Sequence, residues 1–456
     1  MNPDHLTQER IRSANPGRNT AVYPGNGVPR RRPRRLWVLD LVGIFRVYLR
    51  HRLQRRSPRD RRVRERPHVL LFTYDLHNLG CQALAFSAIA YLKQHYPHKR
   101  IHVLVFRRER HVPYAFDVHS VQAEEKVRLL DRRNHDLKEI LEQSCLAMDV
   151  SGLIFSHAMG WKLSLHFLLN LMLAREYGIP FVVYPQTLGP LNYPFLLRRP
   201  LHLLAAAYLP GAEKIFARER AGLAHLQHFG LDNLALSPDA VLASPAVSPG
   251  LIYTPGDLPE ATLPPIDADT VAWVPNVRFN ERIAPERMRA MNRCGIQALL
   301  DGGWRVVVLC HAASDIAAGR DAAGLFRGNG RVALLEEPPD SIHVVELLGR
   351  CRFVVSQRYH AVVHALKTHT PALALSWDDK YTELYARLGL EEFCLDIRAG
   401  FSLEELRAAV AAMSLQADDL RSRIAFALEG LSLRPVWDCL DQVLSDGEAG
   451  KISRPA

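Results

Sequence analysis

The residues best placed to do chemistry lie between Phe353 and Lys380, in the run FVVSQRYHAVVHALKTHTPALALSWDDK. A short apolar strand, Phe353 to Val355, ends in Ser356-Gln357 and is followed at once by Arg358 and His360. Ala361 to Lys367 then reads as helical, and after a Thr-Pro break Ala372 to Leu375 is a second apolar strand. In open α/β sheets ligands sit outside the carboxyl ends of the strands, and helix N-termini favour anions. An Arg and a His so close together at such a junction can hold a phosphate and a titratable proton side by side. The second strand runs into Trp377-Asp378-Asp379-Lys380, which can bring an ammonium to the same edge. The competing reading is a surface pair at a loop, the ordinary situation of Arg and His.

The elements that must position these groups alternate along the chain. Val69 to Thr73 is a short strand, Tyr74 to Gly80 the loop leaving it, Ala83 to Tyr96 a helix by its apolar spacing, and Ile101 to Phe106 the next strand. Small residues around Gly80 would let backbone N–H groups approach a ligand; a tight β–α turn without a ligand is the alternative. Ala147 to Phe155 and Phe181 to Tyr184 are further strands around an almost wholly apolar helix, Leu163 to Tyr177. His157 and His166 read as structural histidines. Lys214 to Ala217 is a short strand that leaves Arg218-Glu219 at its carboxyl end. Prolines crowd Ala243 to Asp269 without periodicity, which marks a linker. Beyond it, strands at Val271 to Val274, Trp304 to Cys310 and Arg331 to Leu334 alternate with helices at Ala284 to Leu300 and Ser341 to Gly349. Leu403 to Leu415 and Ala417 to Leu444 are closing helices. The predicted fold is α/β, two Rossmann-like domains facing a cleft. Residues 1–67 form a basic extension, 68–248 the first domain, 249–269 the linker, and 270–446 the second domain with its terminal helices.

Composition narrows the function classes. The chain of 456 residues is 48% hydrophobic and 23% charged, an ordinary globular balance that excludes a disordered chain. Its seven cysteines show no C-x-x-C spacing or Cys/His clustering, which fits a reducing cytosol and argues against structural zinc. The N-terminus lacks the pattern of a secretory signal, so a cytoplasmic location is expected.

The net charge of +10 is concentrated. Between Pro29 and Arg66 fifteen arginines face only Asp40, Asp60 and Glu65, so this segment contributes +12. Leu36 to Phe45 is apolar apart from Asp40, and Val47 to Leu53 mixes apolar residues with arginine. The apolar run is far below the roughly 20 residues that span a bilayer. Such a segment suits a helix lying in the plane of an anionic membrane, with Leu36, Trp37 and Phe45 buried in it. Asp40 and Gly43 weaken that helix; a solvated basic tail, or nonspecific RNA or DNA binding, are the alternatives.

The motifs also resemble a known family. Arg358-Tyr359-His360-Ala361, with Ser376-Trp377 and Lys380-Tyr381 beyond it, is similar to the C-terminal signature of polysaccharide pyruvyl transferases. Asn78-Leu79-Gly80-Cys81-Gln82-Ala83 resembles the family's first glycine loop, and Pro185-Gln186-Thr187-Leu188-Gly189-Pro190 its central segment. Phe216-Ala217-Arg218-Glu219 and Pro238-Asp239-Ala240 are similar to its arginine–acid and P-D-x-A elements. The matches keep the family's order and cover roughly residues 68 to 395. The resemblance implies the glycosyltransferase-B architecture and a donor site holding Arg218, Arg358 and Lys380. Asn78, Gly80, Gln82, Gln186 and Gly189 would be loop or acceptor contacts. The chain departs from the family at Cys81-Gln82, Leu153-Ile154 and Arg220-Ala221-Gly222, which bears on acceptor recognition.

The implied reaction joins C2 of phosphoenolpyruvate to two hydroxyls of one sugar and releases phosphate. Protonation at C3 needs an acid working near neutral pH, and His360 is the candidate. Guanidinium forks at Arg218 and Arg358, the Lys380 ammonium and, more weakly, His311 would hold the donor's phosphate and carboxylate. No metal and no cofactor beyond the co-substrate is expected. The expected partners are a sugar acceptor, a lipid-linked oligosaccharide of an exopolysaccharide or cell-surface glycan, and an anionic membrane. The protein would sit peripherally at the inner face of the plasma membrane, with no specific nucleic acid. Two alternatives remain: a nucleotide-sugar glycosyltransferase using Glu336 or Glu337 as its ribose carboxylate, and a non-catalytic glycan-binding protein of the same fold.

Overall fold

Short runs of Val, Ile, Leu and Phe that are apolar on both faces make strands only where helices cover both sides of a sheet. HVLLFT, SCLAMD, FVVYPQ, TVAWV and RVVVL are such runs, and nearly every residue in them is buried. A computed structural model describes residues 34–53, 63, 65–106, 112–132, 136–259 and 264–445.

The first sheet holds β1 (His68–Thr73), β2 (Arg100–Val105), β3 (Asp117–Ser120), β4 (Ser144–Asp149), β5 (Phe181–Gln186), β6 (Lys214–Ala217) and β7 (Leu234–Leu236). The second holds β8 (Thr270–Val274), β9 (Arg305–Leu309), β10 (Val332–Leu335), β11 (Val354–Ser356), β12 (Ala372–Ser376) and β13 (Cys394–Asp396). Their orders are β3-β2-β1-β4-β5-β6-β7 and β10-β9-β8-β11-β12-β13, and every paired strand is parallel. These are the two Rossmann-like domains, each strand order reversing beside its first strand.

The helices of the first part are α1 (Arg34–Leu53), α2 (Leu79–His95), α3 (Ala123–Leu130), α4 (Lys138–Glu142), α5 (Trp161–Glu176), α6 (Phe195–Tyr208), α7 (Arg220–Leu226) and α8 (Ala240–Ala243). Those that follow are α9 (Pro285–Asp301), α10 (Ile316–Gly324), α11 (Ser341–Arg350), α12 (Tyr359–Lys367), α13 (Asp379–Leu388), α14 (Leu403–Glu429) and α15 (Arg434–Ser445).

Three expectations need revision. The strand predicted to run to Phe155 stops at Asp149, whose carboxylate accepts the Ser151 N–H at 3.1 Å and turns the chain. The break between the closing helices lies at residues 430–433, where Gly430 ends α14, and not at residue 416. The last helix, assigned by chain position to the second domain, packs on the first. Trp437 stacks on Tyr91 with ring centroids 3.9 Å apart, and Asp441 Oδ1 accepts both the Tyr91 and Tyr96 hydroxyls at 2.7 Å.

The helix expected within the basic segment is present as α1. α1 docks on the first domain through buried Ile44, Val47, Tyr48 and His51. Gly43, which weakened the predicted helix, is where α1 crosses α3: a Cβ there would lie 3.0 Å from Val127 Cγ1. Glu176 at the end of α5 receives His51 Nε2 at 2.8 Å and pairs with Arg50, while Arg46 reaches Asp131 at 2.5 Å. The predicted lipid contacts of Leu36 and Trp37, and the arginines before residue 34, lie outside the described residues and side chains.

Candidate active site

The carboxyl ends of both sheets face one seam, and the predicted donor cations converge there from both sides. Arg218 leaves β6 with its guanidinium fully engaged. Nε donates to Glu219 Oε1 at 2.7 Å, Nη1 to Asp239 Oδ2 at 2.8 Å and Nη2 to Thr187 Oγ1 at 2.6 Å. Its flat face lies 4.4 Å from the Tyr359 ring centroid, a cation–π contact across the seam. Asp239 can hold the arginine because it is the N-cap of α8, its other oxygen accepting the Val241 and Leu242 N–H groups.

From the second domain, β11 gives way to α12 through Ser356, whose hydroxyl accepts the Arg358 N–H at 2.9 Å. Arg358 caps α12 and aims its guanidinium at Asp315, with Nε 2.7 Å from Oδ2 and Nη2 on Oδ1. Asp315 is fully buried, while the arginine keeps 17% of its side-chain exposure. His360 follows in the first turn of α12, its Nε2 3.5 Å from Arg218 Nη1. Burial, then the charge of Arg218, push its pKa well below 6.5. Lys380, in the first turn of α13, lies 3.6 Å from Asp378 and 4.5 Å from the Trp377 ring centroid. Burial lowers its pKa.

His311 sits beyond β9 and is buried, its Nε2 3.3 Å from His364 Nδ1. Burial and the neighbouring His364 hold its pKa well below 6.5, so it is a neutral hydrogen-bonding ring behind the site. A cavity of about 20 Å³, room for a water, remains between Arg218, Asp239, Tyr359, Lys380, Glu383 and Arg387.

The predicted loop residues divide. Asn78 is the N-cap of α2, accepting the Gly80 N–H at 3.1 Å, so Gly80 begins the helix instead of ending a loop. A Cβ on Gly80 would fall 2.3 Å from His360 Nδ1; the glycine is what lets the α2 terminus press against the imidazole. Gln82 is buried with both ends engaged, donating to Leu76 O at 3.0 Å and accepting Ser341 N–H at 2.5 Å from the other domain. Its position makes it an interdomain tie. Gln186 is buried too and donates to Asp149 Oδ1 at 3.3 Å, while its Oε1 has no partner among the described residues. Gly189, at φ +77°, packs against His225. Glu336 is bound by Arg320 at 2.6 Å beyond the edge strand β10, and Glu337 is exposed beside it.

Several members of the site carried no role in the sequence reading. Asp239 had a local signal, an Asp between a short apolar run and an Ala-rich turn, the pattern of an N-cap. Thr187 and Glu219 were quoted inside motifs without a function. Asp315 and Glu383 had no local signal, because their partners lie more than forty residues away.

Two Rossmann-like domains thus meet at a seam where Arg218, Lys380 and His360 lie close together. The sequence profile described as polysaccharide pyruvyl transferase matches residues 78–379, and the chain belongs to that family. Among solved structures, a putative UDP-N-acetylglucosamine 2-epimerase from Listeria monocytogenes is similar at 13% identity and TM-score 0.52, over 85% of this chain and 98% of that one. Medicago truncatula UGT71G1, in complex with UDP-glucose, is similar at 11% identity and TM-score 0.51, over 84% of this chain and 100% of its own. The S. aureus MnaA–UDP structure gives 12% identity and TM-score 0.51, over 83% and 97%. These likenesses describe the fold. No curated protein matches the chain significantly.

Proposed function

We propose that the protein transfers the carboxyvinyl carbon of phosphoenolpyruvate to two hydroxyls of one sugar in a cell-surface or exopolysaccharide glycan, forming a cyclic pyruvate ketal and releasing phosphate. The observation that carries this reading is the meeting of Arg218, Lys380 and His360 at one interdomain seam, with Arg358 beside His360. His360 donates a proton to C3, C2 becomes electrophilic, and a sugar oxygen forms the first C–O bond. The C2–O bond to phosphate then breaks and the second hydroxyl closes the ketal. One hydroxyl proton restores the imidazole and the other leaves on phosphate. Arg218, Arg358 and Lys380 hold the trianionic donor and stabilise the departing phosphate, work that requires no metal. Donor binding exchanges the carboxylate partners of these cations for the donor's own oxygens.

The acceptor is a lipid-linked oligosaccharide, and the arginine-rich N-terminal segment holds the protein peripherally at the cytoplasmic face of an anionic membrane. No helix among the described residues is long and apolar enough to cross a membrane. Phosphate release from phosphoenolpyruvate with a glycan acceptor, measured beside a panel of nucleotide sugars, tests the donor. Turnover of a nucleotide sugar with none of phosphoenolpyruvate would overturn the reading in favour of a glycosyltransferase. Glycan affinity without turnover would favour a binding protein.

A further inference from the structure

Docking leaves α1 with two different faces. Gly43, Ile44, Val47, Tyr48 and His51 turn inward, while Leu41, Val42, Phe45, Leu49 and Leu53 turn outward at 45–86% exposure. The outward positions recur every three or four residues, so they form one row. α6 repeats the pattern: Leu201, Leu204, Ala205 and Tyr208 are buried, and Phe195, Leu196 and Leu203 are 62%, 84% and 48% exposed. The two helices meet where His51 Nδ1 lies 2.9 Å from the Tyr208 hydroxyl. Eight of the twelve large apolar side chains exposed among the described residues belong to these two rows.

The charge pattern says what covers them. From Leu41 to Leu53 and throughout α6 there is no acidic residue, whereas Arg52, Arg198 and Arg199 stand among the apolar side chains, with Arg46 paired to Asp131 beside them. A two-fold contact with a second copy would set arginine against arginine. An anionic lipid surface satisfies both components, apolar side chains in the acyl boundary and cations at the headgroups. α6 also begins just beyond the loop that leaves the carboxyl end of β5, so Phe195 and Leu196 lie on the edge of the first sheet that faces the seam.

We propose that the outward rows of α1 and α6 form one membrane-contacting face that inserts shallowly into an anionic leaflet and presents the seam to its acceptor. The proposal rests on the peripheral-membrane reading above and assigns it to particular side chains.

The test is flotation of the full chain on phosphatidylcholine vesicles with and without phosphatidylglycerol, at low and high salt. Wild type should float with the anionic vesicles and keep a salt-resistant fraction. Phe45→Ser with Leu49→Ser, and Phe195→Ser with Leu196→Ser, should each reduce that fraction about tenfold or more at unchanged Tm. A Leu196→Trp variant should in addition be quenched by brominated lipid. Failure of wild type to float would overturn the membrane reading itself. Flotation unaffected by both serine pairs, with no quenching, would overturn only this face. Variants that lose self-association or RNA binding instead of flotation would assign the face to a second copy or to nucleic acid, and end the proposal.

Discussion

Arg218 and His360 come from different domains and meet with Nη1 of the guanidinium 3.5 Å from Nε2 of the imidazole. A guanidinium only donates hydrogen bonds, so the nitrogen facing it is the unprotonated one. Burial and the arginine's charge keep the ring neutral near physiological pH. A trianionic ligand brought among Arg218, Arg358 and Lys380 would reverse the electrostatic part of that shift. Donor binding should therefore take up a proton. Calorimetry of phosphoenolpyruvate binding in buffers of different ionisation enthalpy measures it, and binding without uptake would remove His360 as the acid.

The same residue makes a kinetic prediction. A general acid must be protonated, so the rate should fall as pH rises through the pKa that His360 has in the complex. His360→Gln should lose about 10²–10⁴ in kcat together with that alkaline limb. A variant that keeps the limb would leave the histidine as a donor ligand only.

Gly80 makes the seam sensitive to one methyl group. Gly80→Ala would place its Cβ 2.3 Å from His360 Nδ1, and either the helix or the imidazole must move. Displacement of a reacting group by about an ångström costs on the order of 10² in rate. Kcat should drop by that order while the melting temperature changes little. Wild-type kcat in this variant would mean that the two groups are apart during turnover.

Arg358 and Asp315 can be separated by a double-mutant cycle. Asp315 is fully buried, so Arg358→Ala leaves a buried carboxylate unpaired, at a cost of about 3–5 kcal/mol. Arg358→Ala with Asp315→Asn should regain much of that stability, yet still show a raised KM for phosphoenolpyruvate. Recovery of a normal KM would mean that the arginine is structural. Chelation should leave turnover unchanged if Arg218, Arg358 and Lys380 supply the positive charge at the donor. Loss of activity in EDTA, restored by a divalent ion, would contradict the metal-free mechanism.

The buried histidines also set an acid limit. The folded pKa values of His311 and His360 lie well below 6.5, that of His364 is about 3 and that of His166 about 2, all through burial first. Between those values and 6.5 the unfolded chain binds more protons than the folded one. Stability is thus complete above about pH 6.5 and is lost as pH falls. Thermal melts between neutrality and about pH 4 should show a steady decline, and a flat profile would mean that these rings are solvated.

The double-domain fold and the Arg358–His360 pair were legible because each depends on neighbours in sequence. Apolar runs mark parallel strands, and a polar pair at a strand end marks its helix junction. The partners of these residues were not legible. Asp315 lies forty-three positions from Arg358, and no local pattern announces an ion pair made by folding. Gln82 has a distant partner of the same kind, the Ser341 N–H supplied by the second domain. α1 shows a further limit. Arginine and leucine in alternation describe a membrane-seeking helix well, but whether one face has already found a protein surface is decided by Glu176 and Tyr208, over a hundred residues away.

The return of α15 to the first domain separates the order of synthesis from the order of assembly. Tyr91 and Tyr96 emerge from the ribosome more than three hundred residues before Trp437 and Asp441, which cover them. Throughout translation of the second domain, that face of α2 is therefore an exposed aromatic surface. Completion of the first domain waits until α15 has been made. A nonsense mutation or a proteolytic nick just before residue 434 would injure the first domain, although it leaves every residue of that domain in the chain.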